Sequence, residues 1–494
     1  MPTVRLEHIW LLFALVAVGS FIALTPTPPN DFWWHLKAGE LVATEGIPRT
    51  NRFSWTQPAD TPYVYATWLG EWLFYVLYRA GGLGLVVFAR NMLGLAGFSL
   101  VALEARRRSG SWRLAALAAL LAAAMSINNL IIRTQNWSWI PVGLYALVLG
   151  AYVAGQVRAR ALAVLPLVMM FWVNAHGAFV VGLALIGVYA AGETLRRLVG
   201  QQGALSWQHV RLLYGALFAT LAATLANPLG FGIFGYVRDL LTDPPSQGLI
   251  TEWQPPTPHN LAGFFFYASI LALVAAFAYT RRRPTITEVL LTIAFMWQAW
   301  NGVRYVMWFG MVIMPILVQC FTQFKTTHRA PRPNSLNVVL AGLLVALFVA
   351  VQPPFKPLLP LPPEYRALFA ELPGAPQAFS AATPVAATEW LRAHAPPGMR
   401  LFNEMGYGSY IDWALYPQAQ SFIDPRGELF PLQQWQDYVA ITEARDYNTL
   451  LAKYGVTHVM LDHKLQPALS KAMENDQAWQ RVYNDEQTAI YERR

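Results

Sequence analysis

The sequence predicts an α-helical integral membrane protein of about 11 transmembrane helices, followed by a soluble α/β domain at its C-terminal end. Three observations predict this. The 494 residues are 55% hydrophobic and only 13% charged, against about 25% charged in soluble domains. Apolar segments approaching the ~20 residues that a bilayer requires recur along residues 1–352. After residue 352 the composition turns to proline and then to mixed, charged segments.

The spans fall near 7–25, 82–103, 113–132, 138–156, 160–174, 177–195, 208–226, 261–279, 285–300, 303–322 and 335–352. Thr25-Pro26-Thr27-Pro28-Pro29 follows the first and holds no small-residue cleavage site, so that segment is expected to remain as a span. Basic residues set the orientation. Arg5, Arg106 to Arg108, Arg113, Arg158, Arg160, Arg196, Arg197, Arg211, Arg281 to Arg283, Lys325, Arg329 and Arg332 put 16 basic residues on one face, against 8 on the other face of the membrane half. The first face is expected to be cytoplasmic. An odd number of spans then puts the chain after residue 352 outside, on a cytoplasmic (inner) membrane. The net charge of +8 is thereby a topology signal and not a nucleic-acid footprint. The single cysteine, Cys320, excludes an intrachain disulfide.

The expected division is a membrane domain over 1–352, a proline-rich linker over 353–383 and an extracytoplasmic α/β domain over 384–494. In the last, 384–395 and 465–478 read as helices, and 400–403, 420–424 and 457–461 as strands. It carries 16 acidic and 12 basic residues with the linker, which leaves no basic patch for DNA.

Of the 12 carboxylates in the membrane half, eight lie in two outer loops: Asp31, Glu40, Glu45, Asp60 and Glu71 in the first, Asp239, Asp243 and Glu252 in the second. The first loop, about 26–81, contains two amphipathic segments, 32–45 and 66–80, expected to lie in the membrane interface. The turn Asn174-Ala175-His176-Gly177 joins two short spans, which points to a buried, hydrated cavity beside it.

Several of these segments, Asp31-Phe32-Trp33-Trp34-His35-Leu36, Trp172-Val173-Asn174-Ala175-His176-Gly177, Asn227-Pro228-Leu229-Gly230, Glu252-Trp253 and Phe422-Ile423-Asp424-Pro425-Arg426, resemble those of a group of uncharacterised bacterial multispan proteins. The layout of a long first outer loop with an acidic residue just after span one resembles the GT-C class of membrane glycosyltransferases, which includes protein O-mannosyltransferases, aminoarabinose transferases and oligosaccharyltransferases. The resemblance covers nearly the whole chain in layout. It implies a cell-envelope enzyme that takes a sugar from a polyprenyl-phosphate donor and passes it to a glycan, lipid or protein acceptor outside the cytoplasm.

The residue chemistry runs alongside. An acceptor hydroxyl is a poor nucleophile, and a positioned carboxylate can take its proton. Asp31 is the candidate base; its plainer reading is an N-cap of helix 32–45. Glu252 is the second candidate catalytic carboxylate, otherwise a residue of a loop anchored by Trp253. Charge developing on a leaving phosphate needs donors and cations. His35, Arg133, His176 and Arg304 are the candidates, with snorkelling the alternative for Arg304. Trp34, Glu71, Asn174 and Trp253 complete the expected substrate-binding set. Two carboxylates beside a phosphate can hold a divalent cation, and the sequence does not require one. Asp424, Arg426 and Glu428 read either as a fold-stabilising ion-pair cluster or as an acceptor contact. Two other functions stay open: a transporter or flippase of lipid-linked glycan, which calls for a charged path and usually a repeat, and a non-catalytic scaffold, which would tolerate loss of Asp31.

Overall fold

The computed structural model describes residues 4–324 and 334–494. Lys325, Arg329 and Arg332, read above as part of a cytoplasmic loop, lie outside the described residues. Each apolar segment of the sequence forms a helix: α1 (Leu6–Leu24), α3 (Trp68–Ser109), α4 (Trp112–Met125), α5 (Trp139–Val153), α6 (Val164–Ala175), α7 (Phe179–Leu198), α8 (Trp207–Ala223), α11 (Leu261–Tyr279), α12 (Ile286–Trp300), α13 (Val306–Cys320) and α14 (Ser335–Ala350). By length and composition, five of the described helical segments can cross a membrane: Leu6–Leu24, Trp68–Ser109, Phe179–Leu198, Leu261–Tyr279 and Val303–Cys320. The others are shorter. Helix α13 runs through the middle of the bundle, with all its residues buried except Gln319. Lipid-like exposure falls elsewhere: Leu271, Val274 and Leu343 remain open on α11 and α14.

The two limbs of α3 correspond to the amphipathic segment and the second span. They meet at Gly81 and Gly82, where Gly82 has φ +64, a left-handed conformation that glycine adopts at little cost. The chain thereby bends, and the segment before it lies over the top of the bundle. Helix α2 (Phe32–Glu45) lies against this limb. The approach is close: a Cβ on Gly39 would stand 2.1 Å from the Glu71 carbonyl oxygen.

Helix α2 was expected to lie in the membrane interface. Instead it is covered by protein, because residues from Phe32 to Leu36, with Ala38, Gly39 and Leu41, are all buried. One side, Phe32, Trp33 and Leu36, packs on Phe74 and on Phe379 from the proline-rich stretch. Another, Trp34, Ala38 and Leu41, enters the same core as Phe402, Phe422 and Trp435 from the C-terminal region.

The second outer loop forms α9 (Gly232–Leu241) and α10 (Pro244–Leu249). The proline-rich stretch, expected as a stiff spacer, is tied down: it holds α15 (Pro363–Arg366), and Ser380 N donates to Thr27 O (2.7 Å) while Thr27 N donates to Ala378 O (3.1 Å). Beyond it, α16 (Val385–His394), α17 (Met405–Leu415), α18 (Leu432–Thr442), α19 (Tyr447–Tyr454) and α20 (Pro467–Glu474) surround a four-stranded sheet. The strands β1 (Leu401–Asn403), β2 (His458–Asp462), β3 (Trp479–Asn484) and β4 (Thr488–Arg493) are ordered β1-β2-β4-β3. β1 and β2 are parallel, and the other pairs are antiparallel. Strands β3 and β4 have no counterpart in the expectation. Residues 420–424 do not join the sheet; Ser421 pairs instead with the first outer loop, its N–H donating to Phe53 O (3.0 Å).

Candidate functional site

A cavity of about 190 Å³ opens where α2, the bent start of α3, the His176 turn, α9 and the C-terminal region converge. Eight of the ten candidate residues line it: Asp31, Trp34, His35, Glu71, Arg133, His176, Trp253 and Arg304. Glu252 stands behind, joined to it through Arg133. Asn174 does not line it.

Arg133 organises the polar side. It follows the short turn after α4 and reaches both outer loops. Its Nη2 and Nε lie 2.6 and 2.8 Å from Asp31 Oδ2, and its Nη1 lies 2.5 Å from Glu252 Oε1. Burial opposes the charge on Arg133, yet the two carboxylates outweigh that and hold the guanidinium protonated beyond its ordinary range. Asp31 occupies the N-cap position of α2, but its side chain makes no capping bond. The carboxylate goes to Arg133 instead, which leaves Oδ1 for a substrate. The positive charge between Asp31 and Glu252 is thus already supplied by arginine, and the pair does not fit a divalent cation in this arrangement. Among the described residues, no group of three or more His, Cys, Asp or Glu side chains is arranged to hold a metal.

His35, one turn after Asp31, is held by Glu71: Nδ1 lies 2.9 Å from Glu71 Oε1, which also accepts from Thr67 Oγ1 at 2.8 Å. The Trp34 ring lies 3.7 Å from the imidazole, and Thr134 Oγ1 is 3.4 Å from Nε2. Helical spacing puts His35 beside Asp31, and the close approach at Gly39 brings Glu71 to meet it.

His176 is fixed by a chain of bonds. Trp172 Nε1 donates to Ser138 Oγ (2.8 Å), whose hydroxyl reaches His176 Nδ1 (2.8 Å). Ala178 N also donates to Nδ1 (3.2 Å). Nδ1 is therefore the acceptor, and the proton of the neutral ring sits on Nε2. Burial, with Arg304, His35 and Arg133 nearby, pushes the imidazole well below its ordinary pKa. Expected as a phosphate-binding cation, His176 is a neutral hydrogen-bond donor.

Arg304 lies 4.3 Å above the Trp253 ring and 6.0 Å from that of Tyr305. Among the described residues no carboxylate pairs with it, so its charge is open to a ligand. Asn174 departs from the substrate-binding expectation. Its side chain donates to Met170 O (2.8 Å) and Ala226 O (2.7 Å) and accepts from Trp68 Nε1 (2.8 Å). These bonds tie α6 to the second outer loop and to α3.

The remaining wall comes from residues the sequence did not single out as site residues, Tyr63, Tyr65 and Tyr236, and from the C-terminal Arg426 and Glu428. Burial, reinforced by Glu428, pushes the Tyr63 phenol well above its ordinary range, so it remains a donor; its hydroxyl bonds Glu428 Oε1 at 3.1 Å. Burial also pushes the Glu428 carboxyl upward. Arg426 is bound by Asp424 through Nε (2.9 Å) and Nη2 (2.7 Å). Asp424 and Arg426 form a buried ion pair, and Arg426 and Glu428 face the cavity. The alternation Tyr63-Val64-Tyr65 in the first outer loop was the available signal for the tyrosines.

No family model matches the chain, and no curated protein sequence matches it. Solved structures do. The archaeal oligosaccharyltransferase AglB from Archaeoglobus fulgidus, in complex with an inhibitory peptide and a dolichol-phosphate, is 13% identical over 92% of this chain and 69% of its own, with a TM-score of 0.54. ArnT from Cupriavidus metallidurans in the apo state is 17% identical over 97% of both chains, with a TM-score of 0.53. The same protein bound to undecaprenyl phosphate is 19% identical over 97% of both, with a TM-score of 0.51. Both are GT-C-class membrane glycosyltransferases, and at these identities the likeness is one of fold. This chain has the GT-C membrane fold.

Proposed function

We propose that the chain is a membrane glycosyltransferase that moves a sugar from a polyprenyl-phosphate donor to a hydroxyl of an extracytoplasmic acceptor. The observation that carries this reading is Arg304: a guanidinium with no carboxylate partner among the described residues, at a cavity whose other arginines, Arg133 and Arg426, are both committed to carboxylates. The GT-C fold supports it, as do neighbours whose structures hold a dolichol-phosphate or undecaprenyl phosphate. The proposed orientation follows the basic residues. The N-terminus and the Arg106 to Arg108 end are cytoplasmic, and the cavity and the C-terminal region are outside.

In this reaction the acceptor oxygen bonds the anomeric carbon as the bond from that carbon to the phosphate oxygen breaks. The bonding pair leaves with the phosphate. The acceptor proton passes to Asp31 Oδ1, the oxygen not held by Arg133. Arg304 and the Nε2–H of His176 meet the charge that develops on the phosphate. Arg133 positions Asp31 and Glu252, and Trp253 offers a ring face beside Arg304.

The test is turnover by the purified protein on a panel of polyprenyl-phosphate sugars, read as release of the polyprenyl phosphate. The parent is expected to turn over at least one donor. Asp31→Asn is expected to lower turnover about 10²–10⁴-fold, and Arg304→Ala to weaken binding of undecaprenyl phosphate. Folded protein that binds no polyprenyl phosphate and turns over no donor in the panel would overturn the reading.

A further inference from the structure

Three polar atoms on cavity-lining residues have no partner among the described residues: Trp34 Nε1, Glu71 Oε2 and Arg426 Nη1. The three residues are 6%, 0% and 1% exposed. A buried donor or acceptor left without a bond keeps its desolvation cost unrepaid. All three are shielded by protein atoms, so the class of ligand is set by the side chains that line the cavity.

Trp34 and Arg426 flank Tyr63. The Trp34 ring lies 6.4 Å from it, and the Arg426 guanidinium lies 5.1 Å from its centroid. Tyr65 meets Tyr63 edge-on at 4.9 Å. Glu428 joins through the Tyr63 hydroxyl at 3.1 Å. This end of the cavity is lined by the Trp34 indole, the Arg426 guanidinium, the Tyr63 and Tyr65 rings and the carboxyl groups of Glu71 and Glu428. A ligand that fits must both donate and accept hydrogen bonds and present apolar C–H faces to rings. A saccharide does so, because each hydroxyl is donor and acceptor at once.

Charge narrows the class. The Arg426 charge is already met by Asp424 at 2.9 and 2.7 Å. Glu428 adds a carboxyl, so this end holds no uncommitted cation for an anionic ligand. The uncommitted cation, Arg304, lies just before α13, over the Trp253 ring of the second outer loop.

We propose that the Trp34, Tyr63, Arg426 and Glu428 end of the cavity is a subsite for a neutral saccharide, which presents its hydroxyl as the acceptor to Asp31. The acceptor role rests on the glycosyl-transfer reading above; the binding itself does not.

The experiment is saturation-transfer NMR on the full chain in lipid nanodiscs, without any polyprenyl donor. The probes are neutral mono- and disaccharides, with glucuronate and glucose 6-phosphate as charged counterparts. Saturable binding of a neutral saccharide is expected, with no comparable binding of the charged ones. Trp34→Leu, which removes the aromatic face, and Glu428→Gln are expected to weaken it about tenfold. Thermal unfolding verifies that both variants fold. Arg304→Ala should leave saccharide binding unchanged while weakening that of undecaprenyl phosphate. Equal binding of charged sugars, or parent-like binding by both folded variants, would overturn the subsite. With a donor that is turned over, glycosylation of the bound saccharide supports the acceptor role. Competition with the donor, with no glycosylated product, would assign the subsite to the donor's own sugar and overturn that role. Saccharide binding with no turnover of any donor would sustain the subsite and sink the transferase reading alone.

Discussion

The two ends of the helix bundle treat their charges differently. At the end carrying Arg106 to Arg108, three buried carboxylates are saturated. Glu104 accepts from Arg107 Nε and Nη2, both at 2.6 Å, and from Arg108 Nε at 2.5 Å. Glu193 accepts from Arg196 at 2.6 Å and Thr287 at 2.7 Å. Glu288 accepts from Arg108 at 2.9 Å, Arg282 at 2.8 Å and the Thr285 N–H at 2.9 Å. At the opposite end, Arg133 is shared between two partly exposed carboxylates, while among the described residues Arg304 meets only rings and Glu71 keeps one oxygen without a partner. The first arrangement closes a structure, tying α3, α7 and α12 together. The second leaves capacity for something that binds. Charge content alone does not separate the two; the degree to which each group is already satisfied does.

That contrast is broken most directly by removing one carboxylate from each end. Asp31→Asn is expected to lower donor turnover about 10²–10⁴-fold, the usual worth of a general base, while the thermal midpoint stays near the parent's. A comparable loss of stability would make Asp31 a structural residue like Glu288. Glu288→Ala takes one of two carboxylate partners from Arg108, takes the ion-pair partner of Arg282 and removes a capping bond. It is expected to cost about 3–5 kcal/mol of stability, measured by denaturant titration in detergent, with little change in turnover per folded molecule. A normal midpoint in that variant would show that the network at that end does not hold the bundle.

Asn174 sharpens the comparison from within the site region, because it sits beside His176 yet behaves like the saturated end. Asn174→Ala is expected to lose about 1–3 kcal/mol of stability with the donor KM unchanged, since all three bonds go to the protein. A raised KM with normal stability would restore its binding role.

Asn174 also shows what was legible. Membrane helices are written in the sequence because a bilayer demands long apolar runs: the segment expected at 261–279 is α11, Leu261–Tyr279, and that at 32–45 is α2, Phe32–Glu45. Residue types suited to the chemistry also stood out one by one, as Asp31, Glu252, Arg133 and Arg304. Their bonding did not, since Arg133 meets Asp31 across 102 positions and Glu252 across 119. Residues 420–424 read as a strand from their local pattern, yet Ser421 pairs with Phe53, whose position in the chain carries no local signal. Strands β3 and β4 escaped because polar and charged residues interrupt their apolar pattern. Helix α2 looked interfacial because the C-terminal region that covers it is more than 350 residues away, as in the bond that the Trp34 backbone N–H donates to Ser409 Oγ, 375 positions on.

The smallest expected effect is the most diagnostic of a binding end. Burial holds the Glu428 carboxyl above its ordinary range, opposed by the Tyr63 bond and by Arg426. A carboxyl whose folded pKa is raised favours the fold only while protonated. That contribution is full below the unfolded pKa and disappears as pH rises through the folded value. At neutral pH and above, the parent therefore bears the cost of a buried charge that Glu428→Gln lacks, while the Gln carbonyl still accepts from Tyr63. Glu428→Gln is expected to match or slightly exceed the parent in thermal midpoint at pH 8, and that advantage should shrink as the pH falls toward the ordinary carboxylate range. Midpoints measured across that range decide it. A variant that is less stable than the parent at pH 8 would mean that the Glu428 charge supports the fold, as Glu288 does, and the two ends of the molecule would then differ less than their bonding implies.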